Sequence, residues 1–208
     1  MNKLAVSLFA LSIISPMAFA EDVNQRESKQ SGVFIGVDYY KGDTEIERDF
    51  SPGGTLEEEF DIKGYRLKFG VHDENNIRFQ GFIKIESLED DIVALASDGK
   101  ILGFGADALF TFPVNPSFSP YALVGMSSDY AELDDDGVDY SEDSINGFAL
   151  KAGLGALFKL NRHVELQAGW DIQYRSWQEM EIDGAFGDAN LEQEDTSSSI
   201  HVGLNFFF

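Results

Sequence analysis

The 208-residue sequence contains no cysteine. Disulfides are excluded, so the fold must hold without them. A lipid-modified cysteine following a leader is excluded as well. Basic residues are scarce: 15 Lys and Arg stand against 37 Asp and Glu, a formal net charge of −22. Nucleic acid needs a basic surface to meet its phosphates, so it is not an expected partner. There are three histidines, and His72 and His163 fall in predicted turns. No glycine-rich phosphate loop, zinc-ligand spacing or nucleophile elbow is present. Long hydrophobic runs are missing too. Leu4–Ile14 is apolar but too short to cross a bilayer as a helix.

What is present begins with a leader. Lys3 supplies a positive start, Leu4–Ile14 an apolar stretch, and Ala18-Phe19-Ala20 a small-x-small cleavage site. Residues 1–20 are expected to be a signal peptide, residues 21–31 a polar periplasmic tail, and residues 32–208 one all-β domain.

Period-two patterning fills that domain. In the last stretch Ile200, Val202, Leu204, Phe206 and Phe208 are apolar, while Ser199, His201, Gly203 and Asn205 alternate with them. Eight such strands are predicted: 32–41, 61–71, 77–87, 100–112, 118–128, 148–160, 164–177 and 197–208. One face carries no charge in any of them; the other carries glycine and charges of both signs. Each is about ten residues, the length a tilted strand needs to span a bilayer. The connections alternate: 72–76, 113–117 and 161–163 are short, whereas 43–60, 88–99, 129–147 and 178–196 are long. An up-and-down barrel places those two sets at opposite ends.

The apolar face can point two ways. In a soluble lipocalin-like carrier it lines the interior. In a membrane barrel it faces lipid, since only a helix or a closed barrel can satisfy its own backbone there. The alternating loop lengths favour the membrane. So do the aromatics: Phe69, Phe79, Phe110, Phe112, Phe118, Phe158, Phe206 and Phe208 gather at one end, and Tyr39, Tyr65, Trp170 and Tyr174 toward the other. The predicted fold is an eight-stranded antiparallel up-and-down transmembrane β-barrel.

On this pattern, and above all on the last strand ending in Phe208, the chain resembles the small eight-stranded outer-membrane barrels: the OmpA membrane domain, OmpX and the opacity proteins. The resemblance implies a Gram-negative outer membrane, with loops extracellular and both termini periplasmic. It implies lipid and lipopolysaccharide as surroundings. It also implies that Ile200, Val202, Leu204, Phe206 and Phe208 form the signal read by the barrel-assembly machinery. The sequence stops at Phe208, so the cell-wall anchoring of OmpA is not carried over.

The other face then fills the lumen. Arg66, Lys68, Arg78, Lys84, Lys151, Lys159 and Arg175 would share it with Asp38, Glu86, Asp107, Glu165 and Asp171. Eight strands leave room only for side chains, so these charges are expected to pair into a plug; the alternative is a small passive channel. Three of the long connections are strongly acidic, with seven acids in 43–60, eight from Asp129 to Asp143 and seven from Glu179 to Asp195. They suit a solvated surface, a basic or host-surface ligand, or loop-bound Ca²⁺ or Mg²⁺ bridging to lipopolysaccharide, with Asp134, Asp136 and Asp139 as the local candidate. That segment lacks full EF-hand spacing. Ser199 and His201 point inward together, which invites comparison with lipid-modifying barrels. A triad also needs an orienting acid and an oxyanion site, so the expected protein is not an enzyme.

Overall fold

Alternation of inward and outward side chains decides how this chain folds. The computed structural model describes residues 32–51, 53–72, 76–89, 100–132, 144–182 and 189–208. Its strands are β1 (Gly32–Ser51), β2 (Thr55–His72), β3 (Ile77–Glu89), β4 (Lys100–Thr111), β5 (Phe118–Glu132), β6 (Ser144–Lys159), β7 (Val164–Trp177), β8 (Met180–Ile182) and β9 (Ala189–Phe207). No helix occurs among the described residues. All pairings are antiparallel and between neighbours, and β1 closes on β9. The barrel wall is therefore eight strands, β1 to β7 and β9. β8 is a short addition that, among the described residues, pairs with the start of β9.

The apolar face points outward. Val33, Ile35, Val37, Leu67, Ile83, Leu102, Val124, Leu150, Ile172, Val202 and their neighbours are exposed around the wall. The charged face points in and is buried. This is the reverse of a lipocalin-like carrier, and that alternative is overturned. The two aromatic groups lie outward where the sequence puts them. Tyr39 and Tyr65 pack as tilted rings, centroids 5.4 Å apart, on neighbouring strands. Trp170 Nε1 donates to Ser198 Oγ at 2.8 Å, giving its ring a polar anchor at the belt's edge.

The short connections are built by asparagine. Asn76 sits at φ 62°, a left-handed conformation that asparagine tolerates. Asn161 Oδ1 accepts from the backbone N–H of His163 at 2.8 Å and of Val164 at 2.9 Å. Asn115 Oδ1 accepts from Ser117 N–H at 2.9 Å. The Asn161 and Asn115 side chains replace backbone partners in tight turns.

The long ends differ from the sequence expectation. Residues 43–51 and 55–60 are strand rather than loop. β1 and β2 stay paired up to Asp49↔Thr55, and β1 stays paired with β9 up to Ser51↔Asn190. Thr44, Ile46 and Arg48 continue the inward parity of β1, and Phe60 and Ile62 that of β2. Likewise β9 begins at Ala189, inside the predicted loop 178–196, while β5 runs to Glu132 and β6 starts at Ser144. Above the belt the outward face meets water, so polar residues there are no bar to a strand.

Candidate functional site: a neutral interior below an acidic outer sheet

Among the described residues, seven cations and seven carboxylates are buried. The cations are Arg48, Arg66, Lys68, Arg78, Lys84, Lys151 and Arg175. The carboxylates are Asp38, Glu86, Asp107, Asp129, Glu165, Asp171 and Asp195. They cancel, so among the described residues the acidic excess lies outside the interior.

The interior charges stack in tiers. At the short-turn end Arg78 grips Glu165 with both terminal nitrogens, at 2.8 and 3.1 Å. Its guanidinium lies over the Phe34 and Phe207 rings. Asn205 Nδ2 donates to Glu165 at 3.0 Å. In the middle Lys68 meets Asp38 at 2.7 Å and donates to Gln167 at 2.7 Å. Lys151 meets Asp107 at 2.9 Å, and Gln80 donates to the same carboxylate. Arg66 lies between Asp38 and Asp171, at 3.9 and 3.8 Å. Nearer the long end Arg175 reaches Glu86 at 2.8 Å and Asp129 at 2.7 Å, and Lys84 reaches Asp129 at 2.9 Å.

The tiers are tied together by neutral groups. Gln167 Nε2 donates to Tyr121 Oη at 3.1 Å, and Tyr121 Oη lies 2.8 Å from His201 Nε2. His201 Nδ1 lies 3.1 Å from Asp171 Oδ2, off the line of a good hydrogen bond but within ion-pair range. Both ring nitrogens of His201 thus face partners other than Ser199, and the arrangement is that of a packing group rather than a serine–histidine pair. Tyr121 fits because Gly155 and Gly169 flank it: a Cβ on either would come within about 2.5 Å of its hydroxyl, at 2.4 and 2.5 Å respectively. Removing that hydroxyl, in Tyr121→Phe, strands Gln167 and His201 in a buried site. The expected cost is about 1–3 kcal/mol, read as a lower urea midpoint of the folded barrel in detergent.

One expected interior residue is misplaced. Lys159 is exposed. It is the last residue of β6, at the rim. It stands in register with Glu165, but that carboxylate is held by Arg78 and Asn205, and a long lysine stem reaches water at little cost. Three interior charges were absent from the expectation: Arg48, Asp129 and Asp195. Each continues the inward parity of its strand into a stretch read as loop.

Above the tiers the interior turns apolar. Ile101, Ala131, Ile145, Trp177, Met180 and Leu191 form a buried cluster, with Phe50 packed against it. The candidate cation loop residues Asp134, Asp136 and Asp139 lie outside the described residues, as do the leader and the tail.

The outer face of the rising sheet is of another kind. Asp43, Glu45, Glu47 and Asp49 on β1, Glu57, Glu59 and Asp61 on β2, and Glu192 and Glu194 on β9 are all exposed. Their register sets acid against acid: Asp43↔Asp61, Glu45↔Glu59, Glu47↔Glu57, Glu47↔Glu194 and Asp49↔Glu192. Like charges directly opposite destabilise a sheet. The other face holds it together: Ile46, Phe60, Ile62 and Leu191 are buried, Arg48 pairs with Glu58 and its Nε donates to Gln193 Oε1 at 3.1 Å, and Ser197 Oγ donates to Thr44 Oγ1.

Comparison with known proteins agrees with this architecture. The model of a family described as outer membrane protein beta-barrel domain matches residues 6–208. Neisserial surface protein A is similar in structure, with a TM-score of 0.53 and 19% identity over 86% of this chain and 99% of that one. OprG from Pseudomonas aeruginosa is similar with a TM-score of 0.54 and 12% identity, over 85% and 96% of the two chains. At those identities the likeness is one of fold. No curated protein matches the sequence.

Proposed function

Because the chain belongs to the outer membrane protein beta-barrel domain family, we propose that it is a non-enzymatic surface barrel whose acidic sheet engages basic partners outside the cell. The observation that carries this reading is the nine exposed carboxylates in opposed register, set on a barrel whose interior charges cancel. Such a face is unfavourable on its own account, so a sequence that keeps it sacrifices stability, as functional surfaces often do. The long-loop end points outward from the cell in this reading, and residues 21–31 and Phe208 lie on the periplasmic side. Residues 1–20 are removed on export. Ile200, Val202, Leu204, Phe206 and Phe208 line one exposed outward row that the barrel-assembly machinery would read.

A test uses the barrel in lipid nanodiscs and a lysine-rich peptide as the probe. The peptide should bind at low salt and be released as salt screens exposed charges. Changing Glu45, Glu47, Glu57, Glu59 and Glu194 to Gln should weaken binding about tenfold, at roughly 0.3 kcal/mol for each exposed pair lost. Unchanged affinity in that variant would remove the reading. The paired interior also leads to an expected outcome in planar bilayers: no steady conductance steps. Reproducible steps would make the protein a small channel instead.

A further inference from the structure

The interior charges balance only while Arg48 is counted among them. Arg48 is bound to Glu58, whose side chain is 33% exposed at the rim. That leaves six buried cations facing seven buried carboxylates. Asp195 has a poor share of the cations. Its nearest cation, Arg175 Nη1, is 3.5 Å away, and Arg175 already holds Glu86 and Asp129 at shorter range. Asp195 Oδ2 accepts from Trp177 Nε1 at 2.8 Å. Asp195 Oδ1 is buried with no hydrogen-bond partner. A buried oxygen in that state is costly as an anion and much less so as a hydroxyl.

We propose that Asp195 is a proton-binding site that couples its ionisation, through Trp177, to the apolar cap over the interior. Asp195 stands above the belt, since on β9 its outward neighbours Glu194 and Thr196 are polar and exposed and the apolar row begins at Ile200. The charged and titratable groups around it come from several strands. β7 brings Arg175; β3 brings Glu86 and Lys84; β5 brings Asp129; β1 brings Tyr40, bonded to Glu86, and Arg48, paired with Glu58 of β2. Trp177, bonded to Asp195, packs in one cluster with Ile101, Ala131, Ile145, Met180 and Leu191. Burial pushes the Asp195 carboxyl above its ordinary value and Glu86 adds to this, against the opposing pull of Arg175, Trp177 and Lys84.

The sign follows from linkage. The folded state holds a proton that the unfolded chain releases near pH 4. Stability from this group is therefore full in acid and falls as pH rises through the folded-state midpoint. Ionisation would put an unpaired charge under the cap and loosen it.

Only Trp170 and Trp177 are tryptophans, so Trp170→Phe makes Trp177 the sole reporter. In the full chain refolded in detergent, its emission should shift to longer wavelength as pH rises from about 4 to about 9. Adding Asp195→Asn, which mimics the neutral acid, should abolish that titration. A flat profile in the Trp170→Phe parent, or an unchanged titration after Asp195→Asn, would overturn the proposal. Should Asp195→Asn fail to give a folded barrel, the infrared spectrum of the parent decides. A protonated-carboxyl band that vanishes at the fluorescence midpoint supports the site, and no such band rejects it.

Discussion

Arg175→Met should lower the stability of the folded barrel by about 3–5 kcal/mol. Arg175 is buried and reaches three carboxylates, Glu86, Asp129 and Asp195. Its loss leaves them to Lys84, which lies 2.9 Å from Asp129 and 3.7 Å from Glu86. Methionine keeps much of the volume, so the change isolates the charge. The penalty is large because each orphaned carboxylate is out of water and cannot recover its hydration. A surface pair gives the scale. Lys41 lies 3.7 Å from Asp61, with both side chains 49% exposed, and Lys41→Met should cost no more than about 1 kcal/mol. Urea unfolding of both variants in one detergent makes the comparison. Equal midpoints would mean that the interior network carries little of the stability.

Val124→Arg should cost about 2–4 kcal/mol in a bilayer. Val124 lies midway along the outward row of β5, with apolar neighbours Ala122 and Met126. The same substitution at Glu57, exposed on the rising sheet, should stay within about 0.5 kcal/mol. Both positions face outward, and relief of the Glu47–Glu57 repulsion is worth only a few tenths of a kcal/mol, so a gap of about 2 kcal/mol or more between them reports lipid contact. Unfolding in phospholipid vesicles reads it. Two equal and small effects would mean that the outward apolar belt does not sit in hydrocarbon.

The wall of this barrel was legible because period two is a strong signal where one face is greasy. Val33, Ile35, Val37 and Tyr39 could hardly belong to anything else. The same period continues in Thr44, Ile46 and Arg48, but there it is masked, because the residues between them include acids. Strand and loop are easily confused where the outward face meets water instead of lipid: polarity then tracks environment, not backbone shape. Of the interior charges, those inside the ten-residue strands could be read from parity. Asp129 and Asp195 could have been found by carrying parity past the belt. Lys159 obeys parity yet is exposed, since parity does not tell where the barrel ends. Tyr121 gives no sequence signal as a hub. Its role depends on Gly155 and Gly169 arriving beside it from two other strands.

The seam between β1 and β9 runs from Phe34↔Phe207 to Ser51↔Asn190. These are the pairs most distant along the chain, and they supply a closure that no earlier strand can give. Until β9 arrives, β1 offers an open edge, which in hydrocarbon is prohibitive. Closure must therefore wait for the whole chain, and the slowest contact, by the loop-entropy argument, is also the last to be synthesised. A chain shortened by its final strand would have no halfway barrel to rest in.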